Sequence, residues 1–391
     1  MKEMTGLVNT KNKNKLPGDG VVGKTCNNVC NNKTFIYTRK SALTLLKTAG
    51  ILLLVLVLLA AFTACVSRSN QEVGDTGTGT GTESSSGTGR ETGGDQGDVQ
   101  GAGSKDAGEF PLTVTDANGV EVKIEKKPQK IVSLTLSTDE MLLSLVDKGR
   151  IAAVSYLSVD PGQSNVAEEV KDLQKTGLEV ESLIAMQPDL IIVADWSDQN
   201  AIKQLRDAKI TVYALKTPSS INQVKDAVMT VAQLVGEKGK GQEIIQWMDG
   251  KLKAVEEKVK TLEDNQKLRV LSYNNFFCTH GIGTTFDDIT KHAGVINLAA
   301  EQGMVMWQEI SKEKIVELNP DAIFLPAWSY EGFDAEEFAG SLKNDKSLAG
   351  INAIKNNRVF CLPEAHLGTT SQNIVLGVED MARAVYPGLF E

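Results

Sequence analysis

The chain has 391 residues, 41% of them hydrophobic, and carries 41 Lys and Arg against 50 Asp and Glu for a formal net charge of −9. An acidic chain of this kind is repelled by nucleic acid, and its folded part has no basic stripe, so nucleic-acid binding is excluded. The length leaves room for two lobes with proper cores once an address segment and a linker are set aside.

Residues 1–64 depart from the acidic balance, with nine Lys/Arg and two Asp/Glu. An apolar run over 51–64 follows Arg39, Lys40 and Lys47. About fifteen apolar residues are short for a membrane span and normal for a secretory signal. Phe62-Thr63-Ala64-Cys65 resembles a bacterial lipobox, with Phe where Leu is usual, and the resemblance implies cleavage at Cys65 and its lipidation. Removing 1–64 leaves a net charge of −16. Between 71 and 108, 12 of 38 residues are Gly and none is aromatic. Such a stretch buries too little apolar surface to offset its ordering entropy. We therefore expect a signal peptide over 1–64 and a lipidated, disordered linker over 65–109. The tether would have an end-to-end distance of roughly 35 Å and hold a globular body at the membrane surface.

The globular part opens with alternating residues at 112–114 and 120–124 around Asn118-Gly119, a hairpin signal. Residues 130–135, 151–155, 190–193 and 210–215 read as buried strands, with helical patterns between them such as 138–145. Strand–helix alternation predicts a mainly parallel sheet covered on both faces. Gly236, Gly239 and Gly241 interrupt the pattern before a longer helix. Ile244, Ile245, Met248, Leu252, Val255, Val259 and Leu262 make its apolar stripe over roughly 30 Å. A second lobe follows, with strands at 269–273, 322–325 and 358–362 and a helix at 287–292. The expected division is a first α/β lobe over 110–240, an interlobe helix over 241–264 and a second α/β lobe over 265–391. One crossing helix leaves little room for hinge motion.

Two stretches repeat each other in register. Glu181-Ser-Leu-Ile-Ala-Met-Gln-Pro-Asp-Leu-Ile-Ile-Val is echoed by Glu313-Lys-Ile-Val-Glu-Leu-Asn-Pro-Asp-Ala-Ile-Phe-Leu, and each reaches a Trp-Ser pair at the same offset, at Trp196 and Trp328. Each reads as a short helix ending before Pro, then a buried strand. In an α/β lobe the helix start and the strand's far end share an edge, the one where open sheets bind ligands. Two similar lobes thus each present a Glu and a Trp on that edge.

Phe110-Pro-Leu-Thr-Val-Thr-Asp-Ala-Asn-Gly, Lys130-Ile-Val-Ser-Leu-Thr, the Glu181 segment, Gly281-Ile-Gly-Thr-Thr-Phe-Asp-Asp-Ile and Ala293-Gly-Val-Ile-Asn together resemble the solute-binding proteins of iron-siderophore and cobalamin importers. The likeness covers 110–391 as an ordered set. It implies two Rossmann-like lobes joined by a single long rigid helix (class III of substrate-binding proteins), with the ligand between them. It also implies an ABC transporter permease with its ATPase subunit as partner, and a monomeric lipoprotein outside the cytoplasm. Glu181 and Glu313 match the family's lobe-tip acids, which salt-bridge to permease arginines. Simple solvation in a first helical turn is the alternative, and recurrence at one register favours docking.

Trp196 and Trp328 end strands at the expected cleft and are read as facing walls for a flat ligand. Tyr156, Phe276, Phe277 and Tyr330 occupy similar positions, and together they make an aromatic cleft. His366 and His280 follow strands and could contact a chelated metal; His292 reads as structural. No arginine of the folded part (150, 206, 269, 358, 383) falls on a loop leaving a strand. Anionic ferric catecholates need such charge-assisted contacts, which tilts the expected ligand from a ferric siderophore toward cobalamin or another corrinoid. Lys175 and Lys216 remain as sources of charge. No cofactor beyond that bound chelate is expected. Capture of bare Zn or Mn would need ligands from both lobes, and the first lobe has no His. An enzyme is the reading from another class, with Cys278 and His280 as nucleophile and base. Cys278 and Cys361 could bridge, although Cys361 within Val-Phe-Cys-Leu reads better as a small core residue.

Overall fold

The computed structural model describes residues 110–391; the expected signal, Cys65 and the tether lie outside them. β1 (Leu112–Thr115) and β2 (Glu121–Ile124) form the antiparallel hairpin read from the sequence. Asp116 closes its loop by accepting the Asn118 and Val120 N–H groups at 2.9 and 3.0 Å.

The first lobe follows as β3 (Ile131–Ser133), α1 (Leu136–Leu145), β4 (Ile151–Ser155), β5 (Gln174–Thr176), α2 (Val180–Met186), β6 (Leu190–Ala194), α3 (Gln199–Asp207), β7 (Val212–Leu215) and α4 (Ile221–Val235). Its five strands are parallel in the order β5-β4-β3-β6-β7. β5 escaped the sequence reading because Gln-Lys-Thr at a sheet edge has no apolar pattern.

α5 (Lys238–Val259) connects the lobes and at about 1.5 Å per residue is roughly 33 Å long. It runs straight through Gly239 and Gly241, which correct the expected break: only Gly236 ends a helix, as the left-handed cap of α4. Gly241 is needed for packing rather than as a breaker. A Cβ there would sit 2.6 Å from the Ala232 Cβ, so its absence lets α5 lie close against α4.

The second lobe runs β8 (Arg269–Ser272), β9 (Cys278–His280), α6 (Thr285–His292), β10 (Ile296–Asn297), α7 (Leu298–Glu301), β11 (Trp307–Glu309), α8 (Lys312–Leu318), β12 (Ala322–Leu325), α9 (Ala335–Lys343), α10 (Asn352–Lys355), β13 (Val359–Cys361), α11 (Glu364–Leu367) and α12 (Ile374–Val385). Four parallel strands take the order β10-β8-β12-β13, and β9 pairs with β11 as a separate antiparallel ribbon.

Core packing follows the two-residue period of the strands. Ile191 and Val193 of β6 join a core on one face of the first sheet, while Leu190 and Ile192 turn to the other. In β12, Ile323 and Leu325 face one way and Ala322 and Phe324 the other. The inner faces of both sheets meet in one continuous core through Met141, Val228, Met248, Leu252, Ile289 and Val378. The two sheets are therefore joined by shared burial as well as by the helix between them. Cys361 is exposed and corrects its reading as a core residue, while Cys278 is buried; no disulfide joins them.

Candidate functional site

The Pro-Asp repeat has a physical cause visible in both lobes. Gln187 (φ 47, ψ 58) and Asn319 (φ 47, ψ 63) end α2 and α8 in the left-handed region, and Pro follows each. Asp189 then accepts the Gln129 and Lys130 N–H groups at 2.8 and 3.0 Å, and its own N–H donates to the Lys130 carbonyl. Asp321 likewise accepts the Arg269 N–H at 3.0 Å and donates to the Arg269 carbonyl. Each Asp ties the start of its strand to the neighbouring central strand, β3 or β8. Pro-Asp is thus a sheet device, and its side effect is to set both helices in the same register.

Glu181 and Glu313 are exposed in the first turns of α2 and α8. The backbone N–H at the helix start and the Ser311 hydroxyl hold the Glu313 carboxyl below the usual range, so it stays ionised. α2 starts a few residues after the carboxyl end of β5, and Lys312 at the start of α8 shares a groove with Tyr273 and Asn275 beyond β8. Both acids therefore stand on the carboxyl edges of their sheets.

A cavity of about 300 Å³ lies between the lobes at that edge. Leu134, Ser137, Leu157, Trp196 and Lys216 line it from the first lobe, and Thr369 and Thr370 from the second. Trp196 is 71% exposed, an apolar plate open to a ligand. Tyr156, also exposed, directly precedes Leu157.

Trp328 departs from the expected pair of facing walls. Its indole N–H donates to Asp160 Oδ2 of the first lobe at 2.7 Å, and a Cβ at Gly162 would collide with its ring. It brackets the lobes and is not among the residues lining the cavity. From Trp328 an aromatic row runs to Tyr330 at 4.9 Å and Phe333 at 5.1 Å, continuing through Phe338 and Tyr273 to Phe277. Phe277, Phe333 and Phe338 border a second groove of about 630 Å³ within the second lobe. Phe276 is half-buried, its N–H bonded to Asn274 at 3.1 Å. His366 departs from a cleft position too: its Nδ1 lies 2.6 Å from Asp380 Oδ2 on α12, and it is absent from the cavity lining. Lys175 is turned onto the carbonyls of Val170, Lys171 and Leu173, so it supplies no charge to the cleft.

Sequence reasoning missed an exposed apolar patch formed by Ile282, Val305, Met306 and Trp307 beside β9 and β11. Its signal was the unbroken run Met304-Val-Met-Trp in what otherwise reads as a loop. Among the described residues, nine of thirteen exposed large hydrophobics lie at carboxyl ends of strands or on this ribbon.

Behind the cavity the lobes are joined by polar groups. The buried Glu140 carboxyl on α1 accepts from the Asn165 N–H and side-chain amide at 2.9 and 3.0 Å. From the second lobe Thr369 (3.3 Å), Asn373 (3.0 Å) and the Ser371 hydroxyl reach the same group. Neighbouring Asp139 is also buried and accepts the Ser155 N–H at 3.1 Å and hydroxyl at 2.7 Å. Burial outweighs those bonds and pushes its carboxyl up to about 7. An unfolded Asp ionises near 4, so between roughly pH 4 and 7 folding becomes less favourable as pH rises. Asp139→Asn should flatten that dependence and melt roughly 5 °C above the parent at pH 8, as thermal unfolding at pH 5 and pH 8 would measure. An unchanged slope would show that other groups set it.

Residues 131–365 match the family described as periplasmic binding protein. An uncharacterised ABC transporter substrate-binding lipoprotein of Bacillus subtilis, YvrC, is 29% identical over 288 residues, 72% of this chain and 88% of the relative. A cobalamin-binding protein of Halobacterium salinarum is 24% identical over 279 residues, 71% of this chain and 74% of the relative. The molybdate-bound structure of MolA from Haemophilus influenzae superposes with a TM-score of 0.60 at 23% identity, covering 71% of this chain and 92% of MolA. These relatives are binding proteins rather than enzymes. With more than half of its length matched, the chain belongs to the periplasmic binding protein family, as an extracytoplasmic solute-binding component that works with an ABC transporter.

Proposed function

We propose that this protein is a lipoprotein, anchored through Cys65, that captures a metal chelate between its lobes and delivers it unchanged to its permease. A corrinoid is the preferred ligand. The observation that carries this reading is the apolar, aromatic carboxyl edge without a guanidinium. Arg150 is bonded to Glu237 and to the carbonyls of Pro128 and Val235, Arg206 to Asp116, and Arg269 to Glu301. A nearly neutral macrocycle suits such a surface better than an anionic ferric catecholate. The cobalamin-binding relative points the same way. Among the described residues no group of three or more His, Cys, Asp or Glu is gathered to hold a metal ion.

An oxyanion is the second reading, favoured by Lys216 and the hydroxyls of Ser137, Thr369 and Thr370 around the cavity. A thermal-shift screen separates the two, because a ligand at saturation stabilises the native state by kcal/mol amounts. Cobalamin or cobinamide should raise the melting temperature, and molybdate, zinc and manganese should not. Trp196→Ala should weaken chelate binding roughly ten- to hundredfold and reduce the fluorescence quenching that binding produces. Stabilisation by molybdate alone would replace the first reading with the second.

A further inference from the structure

The groove of about 630 Å³ in the second lobe stands apart from the interlobe cavity: among the described residues, none lines both. Its aromatic side is built from the loops that follow β8 and β12 and from α9. Buried Tyr273 lies against Phe338 at 6.0 Å and Phe277 at 6.3 Å, and Phe333 meets Phe338 at 5.7 Å. The backbone fixes the two outer rings. Phe277 has φ 58, a left-handed conformation that strains a bulky side chain, and still its ring is 58% exposed. Its N–H donates to the Asn274 carbonyl at 2.9 Å and its carbonyl accepts the Ile310 N–H at 2.8 Å. Phe333 exchanges backbone bonds of 2.9 and 3.0 Å with Tyr330 around Gly332 at φ 84. Backbone strain that holds a large ring in the open, instead of burying it, gathers at ligand sites.

Charge decides what that ligand is. The charged residues lining the groove are Asp334, Glu337 and Asp345 against Lys312 alone. Lys312 is already neutralised, its Nζ 2.5 Å from Asp345 Oδ2. Asp334 spends Oδ1 on capping α9, accepting the Glu336 and Glu337 N–H groups at 2.9 Å. The Glu337 carboxylate is exposed and has no hydrogen-bond or ion-pair partner among the described residues. Aromatic faces carry the negative end of the ring quadrupole, so rings and carboxylate attract the same thing, a cation. A bare metal ion would ask for several oxygen or nitrogen donors at once, whereas one free carboxylate among phenyl rings suits a charge wrapped in alkyl groups.

We infer that this groove is a second binding site, for a small organic cation of the alkylated ammonium class, with the head group among Phe277, Phe333 and Phe338 and its charge beside Glu337. The volume is that of a small-molecule site. The inference is independent of the metal-chelate reading, because the two cavities are lined by different residues.

The test titrates the full chain by calorimetry with choline and with 3,3-dimethylbutanol, an uncharged molecule of the same shape. Choline should bind about tenfold more tightly. Glu337→Gln should reduce that preference, and Phe333→Leu should weaken choline binding about tenfold. Phe277→Gly should also weaken it while the melting temperature stays at or above the parental value, because glycine adopts the left-handed conformation without strain. A lower melting temperature with choline affinity intact would show that the Phe277 ring serves packing and overturn its part in the site. Equal binding of the two molecules would overturn the cationic specificity, and no heat with either would overturn the site. Choline binding lost in Trp196→Ala but kept in Glu337→Gln and Phe333→Leu would move the ligand to the interlobe cavity and overturn the inference. Tighter binding of N-acetylarginine amide than of choline would overturn the small-ammonium assignment in favour of a basic side chain of a partner protein.

Discussion

Replacing Glu140 by alanine should cost about 3–5 kcal/mol of stability and lower the melting temperature by roughly 10 °C. The carboxyl is buried, and Asn165, Thr369, Ser371 and Asn373 all direct hydrogen-bonding groups at it. Alanine would leave those groups facing a dry void, each carrying its own desolvation cost. The effect is also spatial. Three of the four residues belong to the segment between α11 and α12, which forms the second lobe's side of the cavity. Gln372 adds bonds from the same segment to the Glu140 carbonyl at 3.0 Å and the Ser144 hydroxyl at 3.1 Å. Hydrogen exchange in residues 365–373 should therefore accelerate in the variant more than exchange in either sheet. Glu140→Gln keeps the shape but places a donor among donors, and should cost about 1–3 kcal/mol. A loss below about 1 kcal/mol for the alanine variant in denaturant titration would mean that the segment finds other partners and that shared apolar packing alone joins the lobes.

Charge reversal at both lobe tips, Glu181→Lys with Glu313→Lys, should abolish transport while ligand affinity changes less than about threefold. Both side chains are exposed in first helical turns, and neither lines the interlobe cavity, so their charge is free to act on a partner. Each lysine would also face the positive end of its helix, a cost of about 0.3–1 kcal/mol, too small to unfold the protein. The measurements are ligand titration of the purified variant and growth of cells on limiting ligand. Growth at the parental rate would rule out docking through these acids. Loss of ligand binding would instead place them in the capture step.

Much of the fold was legible because its determinants are local. Buried runs such as Leu-Ile-Ile-Val and Ala-Ile-Phe-Leu are too apolar for anything but covered strands, and Asn-Gly between alternating residues calls for a tight turn. The repeat was legible for the same reason, although the function of its Pro-Asp was not: the bonds from Asp189 and Asp321 run to β3 and β8, more than fifty residues earlier in the chain. Short polar strands such as β5 escaped because nothing in three residues distinguishes them from a loop. The surroundings of individual aromatic side chains were not legible. Trp196 and Trp328 have the same offset from the same motif, yet one is an open plate and the other is bonded to Asp160, 168 residues away.

The sequence by itself determined the alternation of strands and helices and the presence of two parallel sheets, because hydrophobic period and turn chemistry act over a few residues. Only the tertiary structure decided which face of each sheet joins the shared core, that Glu140 meets Thr369, Ser371 and Asn373, that Lys175 and His366 turn away to partners of their own, and that the His280 ring is held by Ser272. These contacts depend on how two sheets are set beside each other. Side chains on loops beyond strand ends follow no period, so their partners are chosen by distance in the folded chain rather than by spacing along it.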